Sequence, residues 1–156
     1  SGQCGLVERN AKLFFCADQV ILGLVPIVIT SGKDQHLLTE YFASLRELAS
    51  DYSGYRFLPG HYGEFTEIKE ETDRIIAGYG ERCTQLRQVL AESNRPMTLL
   101  ELDQALYIQR MQTYRYSFLF SYLHTWPKLF SCLDWLFETG VIDRTEKDGV
   151  LYWSLR

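Results

Sequence analysis

Phe57-Leu58-Pro59-Gly60-His61 and, upstream, Phe14-Phe15-Cys16-Ala17-Asp18 are the two stretches that decide the fold. Each is an apolar, strand-like run that ends in one side chain able to bind a metal. Asp18 and His61 lie 43 residues apart, with one helix expected between them. Strand, helix, strand in that order brings both ends to one rim of a sheet. A carboxylate beside an imidazole is ligand chemistry that a metal-assisted hydrolase uses. Two ligands do not complete a site, and nothing at the start of the chain supplies the rest.

The 156 residues suffice for one domain or two small ones. A hydrophobic share of 46% and an aromatic share of 14% exclude a disordered chain. The net charge of −4 divides evenly at Thr66, so neither part is a basic body built for nucleic acid. Cys4, Cys16, Cys83 and Cys132 are spaced 12, 67 and 49 apart, without a C-x-x-C. They read as small core residues of a reducing compartment. The longest apolar run, Val20 to Thr30, is too short to span a membrane and contains Pro26. Ser1 to Gly5 lacks the basic start of a signal peptide, so a soluble, cytoplasmic protein is expected.

Around the two key stretches the pattern is regular. Cys4 to Glu8 and Leu13 to Ala17 suggest a hairpin, with Asn10 as its left-handed turn residue. Gly23 and Pro26 make Val20 to Thr30 an irregular loop. Asp34 is a fitting N-cap for a helix whose apolar stripe is Leu37, Leu38, Tyr41, Phe42, Leu45 and Leu48. Tyr55 to Leu58 is the next strand. A longer helix from about Thr66 turns Ile68, Thr72, Ile75, Ile76, Tyr79, Cys83, Leu86 and Leu90 inward. Gly78 and Gly80 weaken it by about 1 kcal/mol each, so a kink or a close helix contact is expected there.

After the break at Ser93-Asn94-Arg95-Pro96, Thr98 and Glu101 form a capping box for a helix to about Ile108. Tyr114 to Thr125 is aromatic-rich and expected to be helical. Pro127 opens a further helix that Gly140 ends. Asp148-Gly149 then joins two strands in a hairpin. Three helices followed by a two-stranded hairpin is a winged-helix pattern.

In this order the residues resemble the metallo-β-lactamase-fold hydrolases that carry a C-terminal winged helix (β-lactamase-like and hydroxyacylglutathione-hydrolase-like proteins). The resemblance rests on Ala17-Asp18-Gln19-Val20, the Pro-containing loop, Leu58-Pro59-Gly60-His61, the long helix and the winged-helix tail. Ser1-Gly2-Gln3 looks like the end of that family's Gly-His-Thr-x-Gly turn. It implies an α+β fold: the C-terminal half of an αββα sandwich over residues 1–66, then a linking helix and a winged-helix-like domain over 67–156. It implies that Asp18 matches the carboxylate bridging two metals and His61 the last histidine, a ligand of the second. Zinc, as two divalent ions, is implied for the intact protein, with a small-molecule or RNA substrate. The family's His-x-His-x-Asp-His motif is absent, so for this chain alone the resemblance implies no catalytic residue, no tightly bound metal, and a partner that is a second copy or the absent N-terminal half. Ala17 and Tyr62 each stand where family members usually carry glycine, and Tyr79-Gly80 stands where they often carry two histidines.

The other candidates read as structural. His36 is expected in a solvated first helical turn and His124 packed or at the surface beside Trp126. Asp34 is read as a cap. Arg110 to Tyr116 interleaves basic and aromatic side chains that could stack bases, but packing is the expected role. Phe118, Phe120, Tyr122, Trp126, Phe130, Trp135 and Phe137 are expected in the winged-helix core or, where exposed, on a dimer face. A nucleic-acid, protein-docking or dimerisation module is the competing reading of the chain.

Overall fold

The computed structural model describes residues 3–29, 35–110 and 121–156, the side chains of 107–110 and 121 excepted. The chain divides into two compact units, Ser1–Pro26 with Glu40–Tyr79 and Ile27–Thr39 with Gly80–Arg156.

In the first unit β1 (Leu6–Glu8), β2 (Leu13–Ala17) and β3 (Arg56–Pro59) form a sheet in the order β1-β2-β3. The hairpin is present, with Leu6 opposite Phe15. Its left-handed residue is Lys12, at φ 51, not Asn10. The cause is the Glu8 carboxylate, which accepts the backbone N–H groups of Asn10 (3.1 Å) and Ala11 and leaves the reversal to the next residue.

β2 and β3 run parallel, Phe14 beside Phe57. The two-residue period of each strand sends Phe14, Cys16 and Phe57 into the core. Phe14 stacks on Phe57 at 5.2 Å, and Phe57 on Phe65 at 5.3 Å. The crossover between the parallel strands is α1 (Leu37–Asp51), which buries Phe42, Leu45 and Leu48 as its stripe requires. From α2 (Ile68–Ser93) come Ile68, Thr72, Ile75 and Tyr79. Each buried large apolar side chain contributes about 1.5–3 kcal/mol.

α2 is continuous through Gly78 and Gly80. A Cβ on Gly78 would lie 2.7 Å from Val25 Cγ2, whereas Gly80 has open space. The close approach is therefore between helix and loop, at one glycine only. The residues described between Val20 and Ile29 are irregular, as expected, and α2 holds the first part of that loop. Arg74 donates to the Leu24 carbonyl at 2.6 Å, Glu71 accepts the Gly23 N–H at 3.2 Å, and the Tyr79 hydroxyl donates to the Pro26 carbonyl at 2.7 Å.

The second unit holds the rest of α2, β4 (Met97–Thr98), α3 (Leu99–Arg110), a π-helical turn (Ser121–Thr125), α4 (Trp126–Glu138), β5 (Ile142–Lys147) and β6 (Val150–Leu155). Its sheet is antiparallel, in the order β4-β6-β5. The capping box forms: Thr98 N–H and its hydroxyl both donate to Glu101 Oε2, and Glu101 N–H donates back to Thr98 Oγ1. Gly140, at φ 73, ends α4 with bonds from Gly140 N to Phe137 O and Val141 N to Leu136 O, a Schellman stop. Asp148 and Gly149 both have positive φ, the type I′ turn that suits a two-residue hairpin. Leu102, Leu129, Leu133, Leu136, Ile142 and Trp153 form the core.

Several expectations are corrected. Cys4 is exposed, because it precedes the short edge strand β1; Cys16, Cys83 and Cys132 are buried and free. His36 is solvated as expected, 62% exposed, but it precedes α1 with positive φ, and its Nδ1 lies 2.8 Å from Glu138 Oε1. Thr39 Oγ1 donates to the other oxygen of Glu138 at 3.0 Å, so this carboxylate serves the start of α1. The Asp34 cap lies outside the described residues, as do Met111 to Tyr116 of the basic-aromatic strip, Phe118 and Phe120. Of the helix expected over 114–125, residues 121–125 form the π-helical turn. Among the described residues no helix is long and apolar enough to cross a membrane.

Candidate metal centre

The two sequence-selected residues meet at one rim. Ala17 pairs with Pro59 where the parallel strands end, after a register shift between Phe15 and Ala17. One further bond, Gly60 N–H to the Ala17 carbonyl at 2.9 Å, carries the pairing past the strand ends. Ala17 adopts φ 47 within a turn closed by Gln19 N–H on the Cys16 carbonyl at 2.9 Å. Tyr62, directly after His61, adopts φ 64. A left-handed conformation costs a residue with a Cβ about 1–2 kcal/mol, so two such residues flank the pair.

His61 Nε2 lies 3.7 Å from Asp18 Oδ1, beyond hydrogen-bond reach. The Asp18 side chain is 43% exposed, yet its Oδ1 is buried and has no hydrogen-bond partner among the described residues. His61 is 68% exposed. Gly60 makes the arrangement possible, because a Cβ there would lie 2.8 Å from Asp18 Oδ1.

α1 braces the segment that follows Asp18. The Tyr41 hydroxyl donates to the Gln19 carbonyl at 2.7 Å, and Gln19 Nε2 donates to Ser44 Oγ at 3.0 Å. Burial, with Tyr79 adding, pushes the Tyr41 phenol up and keeps it a neutral donor. Burial also pushes the Cys16 thiol up to about 11, and its Sγ donates to the Val20 carbonyl. Cys16 is thus a protonated core residue, neither nucleophile nor ligand. Sequence periodicity gave no signal for the Tyr41–Gln19–Ser44 brace or for the Arg74–Glu71 clamp on the loop.

An acceptor oxygen buried without a partner, facing an imidazole across a gap too wide for a hydrogen bond, fits two ligands of a metal. A structural zinc takes four. Among the described residues no three His, Cys, Asp or Glu side chains gather to hold an ion. A cavity of about 110 Å³ in the same unit is lined by Gln3, Gly5, Phe14, Gln19, Ser44 and Leu48, not by the pair.

No family model and no curated protein matches the sequence. Solved structures do. A metallo-beta-lactamase family protein from Thermus thermophilus superposes with a TM-score of 0.75 at 19% identity, over 97% of this chain and 44% of that one. A beta-lactamase domain protein from Burkholderia ambifaria gives 0.79 at 18%, over 98% and 44%. The chain has the fold of part of a metallo-β-lactamase-family protein. It spans less than half the length of either structure, and at these identities the likeness concerns fold alone.

Proposed function

We propose that this chain is part of a metal-dependent hydrolase of the metallo-β-lactamase superfamily, with Asp18 and His61 as two ligands of a dinuclear zinc centre. The observation that carries the reading is the partnerless Asp18 Oδ1, 3.7 Å from His61 Nε2 at the ends of two parallel strands. Bound zinc supplies a low-pKa water and hence hydroxide at neutral pH, for attack on an ester, thioester, lactam or phosphodiester. The Asp18 carboxylate would hold metal and neutralise part of its positive charge. His61 offers a neutral nitrogen, held at the rim by the Gly60–Ala17 bond. The loop after Asp18, clamped by Arg74 at Leu24 and with Leu22 and Leu24 exposed, would form part of the substrate rim.

With two donors the chain alone should hydrolyse nothing. Its partner is an N-terminal half that brings the remaining ligands and covers the outer face of the first sheet, where Leu6 and Phe15 stand side by side and exposed. The test supplies such a half, fused or as a separate chain, and assays ester, thioester and RNA hydrolysis. Asp18→Ala should lower the rate at least a hundredfold; activity indifferent to Asp18 would remove the reading.

A second reading concerns the second unit. The β4-β6-β5 order, α3, α4 and the Asp148-Gly149 turn support a winged-helix-like docking module. No residue of α4 from Trp126 to Glu138 is exposed, and the unit carries ten basic and ten acidic residues. Both facts favour contact with protein over insertion into a nucleic-acid groove.

A further inference from the structure

We infer that Tyr62 is a substrate-contacting residue of the Asp18–His61 rim and selects a neutral substrate bearing a planar aromatic group. The inference rests on the hydrolase reading for what the rim does. Its physical basis is separate, and it begins with the backbone. Tyr62 follows His61 directly and sits at φ 64, a conformation that glycine adopts freely and a bulky aromatic residue resists. Local structure therefore argues for glycine at this position.

Nothing nearby offsets the cost. The Tyr62 side chain is 73% exposed, so burial does not hold it. Among the described residues it makes no hydrogen bond, ion pair or ring contact. A strained residue with no local compensation, next to a candidate ligand, is the pattern expected where a side chain serves binding instead of folding.

The ring and the charge around it limit what Tyr62 can meet. Its flat face stacks on planar groups, and its hydroxyl is free to donate. The unit that holds the rim carries ten acidic against six basic residues, a field that repels a polyanion. An aryl ester or aromatic acyl compound fits the ring, and the unit's own side chains add no attraction for RNA.

The test uses the 156-residue chain, labelled with nitrogen-15 and titrated with acetanilide, which is neutral, planar and not readily hydrolysed. N-cyclohexylacetamide and a short RNA serve as comparisons. Acetanilide should shift the Tyr62 and His61 amide signals saturably, and N-cyclohexylacetamide should bind at least fivefold more weakly. Tyr62→Gly should abolish the acetanilide shifts while raising the melting midpoint by about 3 °C; Tyr62→Phe should keep them. Unchanged acetanilide binding in Tyr62→Gly, or a lowered midpoint, would overturn the inference, and RNA binding tighter than acetanilide would overturn the substrate class. Zinc titrated into the same samples separates the two readings. Zinc shifts at Asp18 and His61 should survive Tyr62→Gly, and their absence counts against the hydrolase reading alone.

Discussion

The two units differ in which of their polar groups lacks a partner. In the second, the Asp134 carboxylate is buried but meets Arg144 Nη1 at 2.9 Å, and Arg144 lies over the Phe137 ring at 4.3 Å. Asp103 is buried but accepts from Trp126 Nε1 at 2.9 Å. Trp153 Nε1 is a buried N–H without a partner among the described residues. In the first unit the partnerless carboxylate oxygen belongs to Asp18, and the left-handed Ala17 and Tyr62 stand on either side of the Asp18–His61 pair. Where stability alone governs, buried charge is paired. The rim departs from that pattern at one atom, the buried Asp18 Oδ1.

Removing a paired charge should have the largest effect. Arg144→Met leaves the Asp134 carboxylate buried and alone, at a cost of about 3–5 kcal/mol. Replacing both residues by apolar ones should recover most of that loss. Urea unfolding of the single and double variants measures both, and a single-variant cost below about 1 kcal/mol would erase the contrast between the units.

The capping box sharpens the same contrast at a smaller scale. Hydrogen bonding from the Thr98 backbone N–H, with Arg95 and the Thr98 hydroxyl adding, holds the Glu101 carboxyl below the usual carboxylate range. A depressed folded pKa stabilises the protein above the ordinary carboxylate pKa and loses that contribution as pH falls through the folded value. Glu101→Gln keeps the capping geometry but loses the charge, and should cost about 0.3–1 kcal/mol at neutral pH. The gap to the unsubstituted protein should close on acidification. A gap that stays constant down to strongly acid pH would show that ionised Glu101 contributes nothing.

The sequence made most elements legible because local rules governed them. Leu37 to Leu48 kept a helical stripe, Thr98 and Glu101 kept their spacing, and Asp148-Gly149 allowed one turn type. Asp18 and His61 were legible as a pair because each ends an apolar strand and the strands are parallel neighbours. Long-range side-chain bonds were not legible. Nothing in the periodicity marks Tyr41 for the Gln19 carbonyl, Arg74 for the Leu24 carbonyl or Glu138 for the start of α1, since each partner is chosen by tertiary packing. Asn10 misled for a related reason: the neighbouring Glu8 carboxylate took its N–H and moved the left-handed residue to Lys12.

The central claim, that Asp18 and His61 are metal ligands, is met most directly by soaking crystals of the chain in millimolar zinc and collecting anomalous diffraction. The account expects a weakly occupied zinc within about 2.0–2.2 Å of an Asp18 carboxylate oxygen and His61 Nε2, lost in Asp18→Ala. Zinc bound elsewhere on the chain with this rim empty, or density at the rim that persists in Asp18→Ala, would contradict it.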